Sequence, residues 1–539
     1  MTTAAALTLV SCAGGSGDSA TSGSATKDSI VVAVPALAPT LDGVVGGNGT
    51  TLEAFEMNAN LQAGLVRNPY IEGLTPSTVV QNFNEYVPYV AESYEVSDDG
   101  LRYTFTLPAD LVSQVGNPIT ADDVIWSFQR KWANAAFPKG PFAAGFDGPD
   151  AGLVKVDDLT VEFTLTDAGF GLTFLGLLAN LFGHIYDSTL LQEHATAEDP
   201  WALEWAKTNS GWGLGPYMVE SQTPDQEMIL TANPNYVYGE PEITTVTLRV
   251  VPDAGTRASL VATGDVDIAE GIRSSDQAKL ESNADLIVPE ADPIEYVDLT
   301  PVTNKAPFDE ELVRQALAYA IPYDEIIEQI YSGRAVPMTG NINPNTANYS
   351  VDGLPTYSYD PEMAMELLEE AGYPDGVDFT LSVSTATPDL IDASVIIKSY
   401  AEDAGFNITI DQQQAAAFGQ IRTEATGQAI IYRNRSQVQT PTYASTLFFR
   451  PDTNTNPSRW SDASNTAYWE VVNQALELAD PLSEEAGALW EEAQTILLES
   501  SPEIFIAAIQ PSQVLRNTVE GFTYRSENAI DFGNLTALG

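Results

Sequence analysis

Between Pro88 and Arg130 the chain reads PYVAESYEVSDDGLRYTFTLPADLVSQVGNPITADDVIWSFQR, and this stretch leaves little choice of local structure. Tyr103, Phe105 and Leu107 alternate with polar residues, the period of a half-buried strand, and Asp99-Gly100 ahead of them supplies a tight turn. A hairpin follows from that. After Asn117-Pro118, Thr120 stands three residues before Asp123, so its hydroxyl can cap a helix whose apolar Val124, Ile125 and Phe128 face inward. The expected unit is hairpin, loop and capped helix, a piece of scaffold that holds no reactive group.

The rest of the chain alternates in the same manner. SIVVAVP from Ser29 reads as a strand that runs into Gly46-Gly47-Asn48-Gly49, a loop that either makes a wide turn or lets backbone approach a ligand closely. Residues 230–272 read as strand, turn, strand from Val246 to Val251, a helix over Ala258–Ala262 ending at Gly264, and a short strand around Ile268. Further on, Leu312, Val313, Ala316, Leu317 and Ala320 share one helical face. Asp360 caps a helix with Pro361 in its first turn, closed by Gly372. With 539 residues there is room for two or three domains, and the alternation predicts an α/β fold of mixed sheets with flanking helices.

Several functions are excluded early. Twenty-three Lys and Arg against 75 Asp and Glu give a net charge of −52, which repels nucleic acid, so no nucleic-acid partner is expected. His184 and His194 fit no zinc spacing, and neither a nucleophile elbow nor a phosphate loop occurs. Asp452, Asn454 and Asn456 mimic a calcium loop, but Pro457 stands where glycine is required. No metal and no cofactor is expected. GWGLGPYMV at 211–219 leads into a strand and not a helix, against a dinucleotide fingerprint, and leaves Trp212 as either packing or a ligand platform. The charge-free stretch Ala168 to Tyr186 contains four glycines, Asn180 and His184 between Asp167 and Asp187. It predicts a buried helix or loop, not a membrane span.

Cys12 is the one cysteine, so no intrachain disulfide can form. Leu9-Val10-Ser11-Cys12 after an apolar run resembles a bacterial lipobox, which makes residues 1–12 a signal and Cys12 a lipidation site, although Met1 to Thr3 lack the usual basic residue. Residues 13–29, rich in Gly, Ser, Ala and Thr, form a flexible tether whose ends lie about 20 to 25 Å apart.

AESYEVSDDGLRYTFTL followed by PITADDVIWSF resembles the signature of the family 5 extracellular solute-binding proteins, the peptide-binding components of ABC importers. LQAGLVRNPY, GWGLGPYMV, NPNY, GDVDIA and residues 295–335 continue the resemblance in family order. It implies a two-lobed periplasmic-binding-protein-like fold, type II, of the large cluster with an extra subdomain in lobe I. Lobe I is placed at 30–296 with an insert at about 66–205, lobe II at 297–503, and the return to lobe I at 504–539, with a crossing at about Tyr296 to Thr300. It also implies a monomer, lipid-anchored at the outer face of the cell membrane or in the periplasm. Two lobes close on a peptide and hand it to an ABC permease with its ATPase subunits, with no catalysis. Family position near the cleft makes Asn48, Thr50 and Trp212 candidate ligand contacts.

One departure bears on the ligand. Where peptide-binding relatives carry Trp and an Asp for the ligand's amino group, residues 430–449 read IIYRNRSQVQTPTYASTLFF. Ala425 to Pro451 holds no acid at all, a gap with a chance of about 2% at this composition for a window fixed in advance. Guanidinium forks without local acids invite an anion. Arg433 or Arg435, with Tyr432, Gln437, Gln439 and Tyr443 nearby, then reads a carboxylate; alternatively both arginines pair with distant acids. A peptide is the leading solute. An oligosaccharide, a metal chelate or another anionic metabolite is the second, and a hydrolase using paired acids is a third.

Overall fold

The computed structural model describes residues 27–44, 51–73, 78–134, 139–291, 293–344, 346, 350–451, 455–526 and 530–538. Cys12, the signal, most of the tether, Gly46 to Gly49, Thr50, Asp452 and Asn454 lie outside them.

Two mixed sheets organise the molecule. The first runs Tyr217–Thr223, Glu227–Ala232, Thr245–Val250, Ser29–Val34, Ile268–Ala269, Val514–Arg516 and Leu286–Ile287. At its centre Ser29–Val34 lies parallel to both Thr245–Val250 and Ile268–Ala269. Apolar side chains on both of its faces are buried, as a strand sandwiched between layers requires. The second sheet runs Ala335–Pro337, Ile504–Ile509, Glu295–Pro301, Ala429–Arg435, Val377–Ser384 and Phe406–Gln413. All seven residues of its central strand Glu295–Pro301 are buried.

The links between the sheets differ from the expected crossing. Tyr296 to Thr300 belong wholly to the second sheet, so the first link is 288–294. Ile504–Ile509 also stays in that sheet, so the return is 510–513. The return link is held by Gln277, whose amide donates to the carbonyls of Pro511 and Gln513, both at 3.1 Å.

Between Leu61 and Tyr217 lies a unit with its own four-stranded sheet, Ser93–Val96, Arg102–Thr106, Thr160–Thr164 and Leu153–Lys155. Tyr103 and Phe105 turn inward as their alternation requires, and Phe105, Phe128, Phe146, Phe163 and Phe174 pack edge to face. The helix Ala121–Ala133 starts with the expected capping box: the Thr120 backbone N–H donates to Asp123 Oδ2 at 2.8 Å, and the Thr120 side chain accepts from the helix. Thr120→Ala is expected to destabilise this unit by about 1 kcal/mol, measurable by denaturant titration, with Thr120→Ser close to wild type. The helix is tied to the first lobe by Arg130, which forks onto Asp42 (Nη2 to Oδ2, 2.6 Å) with both side chains 0% exposed.

The charge-free stretch folds into short pieces: turns of 3-10 helix at Ala168–Phe170 and Leu181–Gly183 flank the helix Gly171–Leu178. Among the described residues no helix is long and apolar enough to cross a membrane.

Candidate functional site where the lobes meet

Strand Ala429–Arg435 carries its site by alternation. Ile431, Arg433 and Arg435 point to one side, and Tyr432 and Asn434 to the other. Antiparallel register sets Arg435 directly opposite Glu295. Glu295, 3% exposed, takes Arg435 Nη2 at 3.1 Å and Arg433 Nη1 at 3.4 Å. Asp389, in the first turn of helix Pro388–Asp403, takes Arg433 Nη2 at 2.7 Å and the Tyr331 hydroxyl at 2.9 Å. Burial works against the charge of Arg433, but the attraction of Asp389 and Glu295 outweighs it and holds the guanidinium protonated. Arg435 also lies 5.3 Å above the ring of Phe55, on helix Leu52–Leu61 of the first lobe.

These pairings leave part of each fork unused. Arg433 Nε and Arg435 Nη1 are buried with no hydrogen-bond partner among the described residues, as are Ser436 Oγ, Gln439 Oε1 and Thr442 Oγ1. Five open polar atoms within ten residues is a concentration that a finished protein interior avoids. Gln437 and Tyr443 are engaged with each other, the Tyr443 hydroxyl donating to Gln437 Oε1 at 2.6 Å, and the Gln439 amide donates to the Ser436 carbonyl. The arginines thus pair with acids distant in sequence, the alternative to ligand binding, while Arg433 Nε and Arg435 Nη1 keep no partner among the described residues.

Tyr432 faces the opposite side of the sheet, beneath Arg422 at 4.8 Å. There it borders a second buried acidic group. Asp298 is pushed up to about 8, by burial first, against help from the Thr300 hydroxyl, Arg422 and Asn434. Glu503 is raised by burial and then by Asp298. A comparable pair lies in the first lobe. Burial raises both Glu56 and Glu270, Glu270 to about 7, and the neighbouring charge of Glu270 raises Glu56 further.

Trp212 is 1% exposed. It packs edge to face on Tyr186 and donates its indole N–H to the Asn209 carbonyl at 2.6 Å, so it serves packing inside the first lobe. His184 is buried, and His194 stacks on Trp205 at 3.9 Å. Among the described residues no three His, Cys, Asp or Glu side chains stand together as a metal site needs. A cavity of about 350 Å³ in the second lobe is lined by Tyr323, Tyr357, Tyr359, Tyr400 and Glu503, and by none of the ligand-binding residues expected from the sequence.

Sequence reasoning missed Glu295, Asp389, Phe55, Ser436 and Thr442. A signal existed for the first: in EYVDLT, Glu295 and Asp298 interrupt an otherwise apolar strand, and a buried acid needs a partner.

Residues 85–456 match the sequence family described as bacterial extracellular solute-binding proteins, family 5 Middle, well over half of the chain. The chain belongs to that family. Proteins of this family are extracytoplasmic, bind small solutes and work with the permease and ATPase subunits of ABC importers. The chain is 28% identical over 498 residues to heme-binding protein A of Haemophilus influenzae, covering 87% of this chain and 86% of that one. It is 29% identical over 525 residues to the glutathione-binding protein GsiB of Salmonella typhimurium, covering 94% and 96%. Among solved structures, a DppA periplasmic binding protein of Helicobacter pylori in complex with the peptide STSA superposes with a TM-score of 0.80 at 23% identity, covering 95% and 98%. That likeness establishes the two-lobed α/β fold.

Proposed function

We propose that this family 5 protein captures a solute bearing a carboxylate, a short peptide foremost, by closing its two lobes over the segment Arg433 to Thr442. The observation that carries the reading is the set of five buried, unpartnered polar atoms in that segment. Arg433 Nε and Arg435 Nη1 supply two donors to one anionic end, and Ser436, Gln439 and Thr442 supply adaptable groups beside it. Tyr432, Gln437 and Tyr443 brace the segment. Asn48 and Thr50, which lie outside the described residues, stay candidates on the family resemblance alone. Capture needs no bond chemistry, and the solute leaves unchanged. Cys12 carries the lipid that holds a monomer at the membrane face.

Native mass spectrometry of gently purified protein is expected to show a co-purifying small molecule of unchanged covalent structure. Peptides support the leading reading; an anionic metabolite keeps the carboxylate and removes the peptide. A neutral sugar sinks the arginine assignment. By titration calorimetry with the recovered solute, Arg435→Ala is expected to weaken binding by roughly 10- to 100-fold, the effect of removing a charge-assisted hydrogen bond from a buried site.

The second reading, a non-peptide anion, is favoured by Gln437. It is uncharged and already satisfied by Tyr443, so this segment offers no carboxylate to a ligand ammonium.

A further inference from the structure

The charge-free stretch Ala168 to Tyr186 has no role in the site described above, yet much of it lies against the second lobe. Its partners, 437–440, 443, 476 and 478, come from the part of the chain between strands Ala429–Arg435 and Ile504–Ile509 of the second sheet. The Asn180 amide donates to the Gln437 carbonyl at 3.0 Å, and the Thr173 and Thr440 hydroxyls meet at 2.5 Å. The rings of Phe182 and Tyr443 stand 6.5 Å apart. Two glycines set the approach. A methyl group on Gly176 would sit 2.3 Å from Val438 Cγ1, and one on Gly169 would sit 2.5 Å and 2.6 Å from the carbonyl oxygens of Leu476 and Leu478. Neither position has positive φ, so both glycines are needed for space and not for backbone conformation. A charge on this stretch would be buried without a partner, against the second lobe at Gly176 and Asn180 and inside the first lobe's own core at Phe174 and Tyr186.

We infer that the side of this stretch bearing Gly169, Thr173, Gly176, Asn180 and Phe182 is the closing surface of the first lobe, and that Gly169 and Gly176 are positioning residues. They let the second lobe approach far enough for Asn180 and Thr173 to clasp 437–440, which lies inside the segment Arg433 to Thr442 and contains one of its open polar atoms, Gln439 Oε1. The inference rests on the capture reading for its purpose, but its geometry is independent of the solute. Bulk at Gly169, whose close neighbours are all backbone atoms of Leu476 and Leu478, holds the lobes apart and leaves the first lobe's packing in place; at Gly176 a methyl group would also sit 2.7 Å from the Tyr86 hydroxyl of the first lobe. The apparent affinity for any solute then falls by the fraction of closed molecules lost.

The test needs no solute. In the full chain with Cys12→Ser, Thr173→Cys and Thr440→Cys are expected to form a disulfide within minutes under mild oxidant, read by gel mobility after thiol alkylation. Adding Gly169→Leu is expected to slow that reaction at least tenfold with the thermal midpoint nearly unchanged. Gly169→Ala, one methyl larger, should slow it measurably and serves if the leucine variant folds poorly. Failure of the cysteine pair to link overturns the proposed closing surface. Linking at an unchanged rate in both the leucine and alanine variants overturns the role of the glycines. Either failure leaves the solute assignment standing, since that is read by mass spectrometry of the unmodified protein.

Discussion

Replacing Glu295 by alanine is expected to lower the unfolding midpoint of the second lobe by on the order of 10 °C. Among the described residues Glu295 is the acid that Arg433 and Arg435 share, and it sits opposite Arg435 in the central pair of strands. Removing one member of a buried ion pair costs about 3 to 5 kcal/mol, because the remaining charge stays buried and unpaired. A lobe of this size loses about 2 to 4 °C per kcal/mol. Arg433 keeps Asp389 at 2.7 Å, so most of the loss falls on Arg435. The same vacancy makes the site more demanding of an anion. In differential scanning fluorimetry the variant should regain several degrees in molar formate or acetate, and less in chloride at equal ionic strength. Equal recovery in both salts, or a midpoint within a degree of wild type, would show that Glu295 is not what holds the two guanidinium groups.

Stability is expected to fall as pH rises from about 4 to about 8, the reverse of ordinary acid denaturation. Asp298, raised to about 8 by burial, and Glu270, raised to about 7, hold protons in the native state that the unfolded chain has released. Glu503 and Glu56 are shifted in the same direction. Across this window the native state binds more protons than the unfolded state, so the slope of unfolding free energy with pH is negative. The stabilisation is complete below about 4 and is lost as pH climbs through 7 and 8. For one carboxyl moved from 3.8 to about 8 the loss is on the order of 5 kcal/mol. Rising negative net charge pushes the same way. The contributions separate by mutation: Asp298→Asn with Glu503→Gln should make the pH dependence of the midpoint between pH 5 and 9 shallower, leaving the share of Glu56, Glu270 and general charge. An unchanged slope in that variant removes Asp298 and Glu503 as its cause.

Much of the fold is legible without coordinates. Alternation at Tyr103 and Phe105, the Thr120 and Asp123 cap, and Asp360 with Pro361 and Gly372 each depend on groups a few residues apart, and each stands where the pattern puts it. Family membership is equally legible, since it rests on the order of such local phrases. The site is legible only in part. Arg433 and Arg435 announce themselves by the acid-free window around them, whereas Trp212 misleads because a glycine-rich loop can wrap an indole as well as present one.

The local units, their order and two conspicuous arginines can be read from the residues alone. What surrounds those arginines follows from long-range packing. The partner of Arg435 is Glu295, 140 residues away, brought opposite by the register of two antiparallel strands. Likewise Gln437 and Thr440 meet Asn180 and Thr173 more than 250 residues away. Periodicity reports which face a residue takes, but not which strand or lobe that face will meet. That choice belongs to the packing of the whole chain, where the burial of each charge must be matched by a partner the local pattern does not contain.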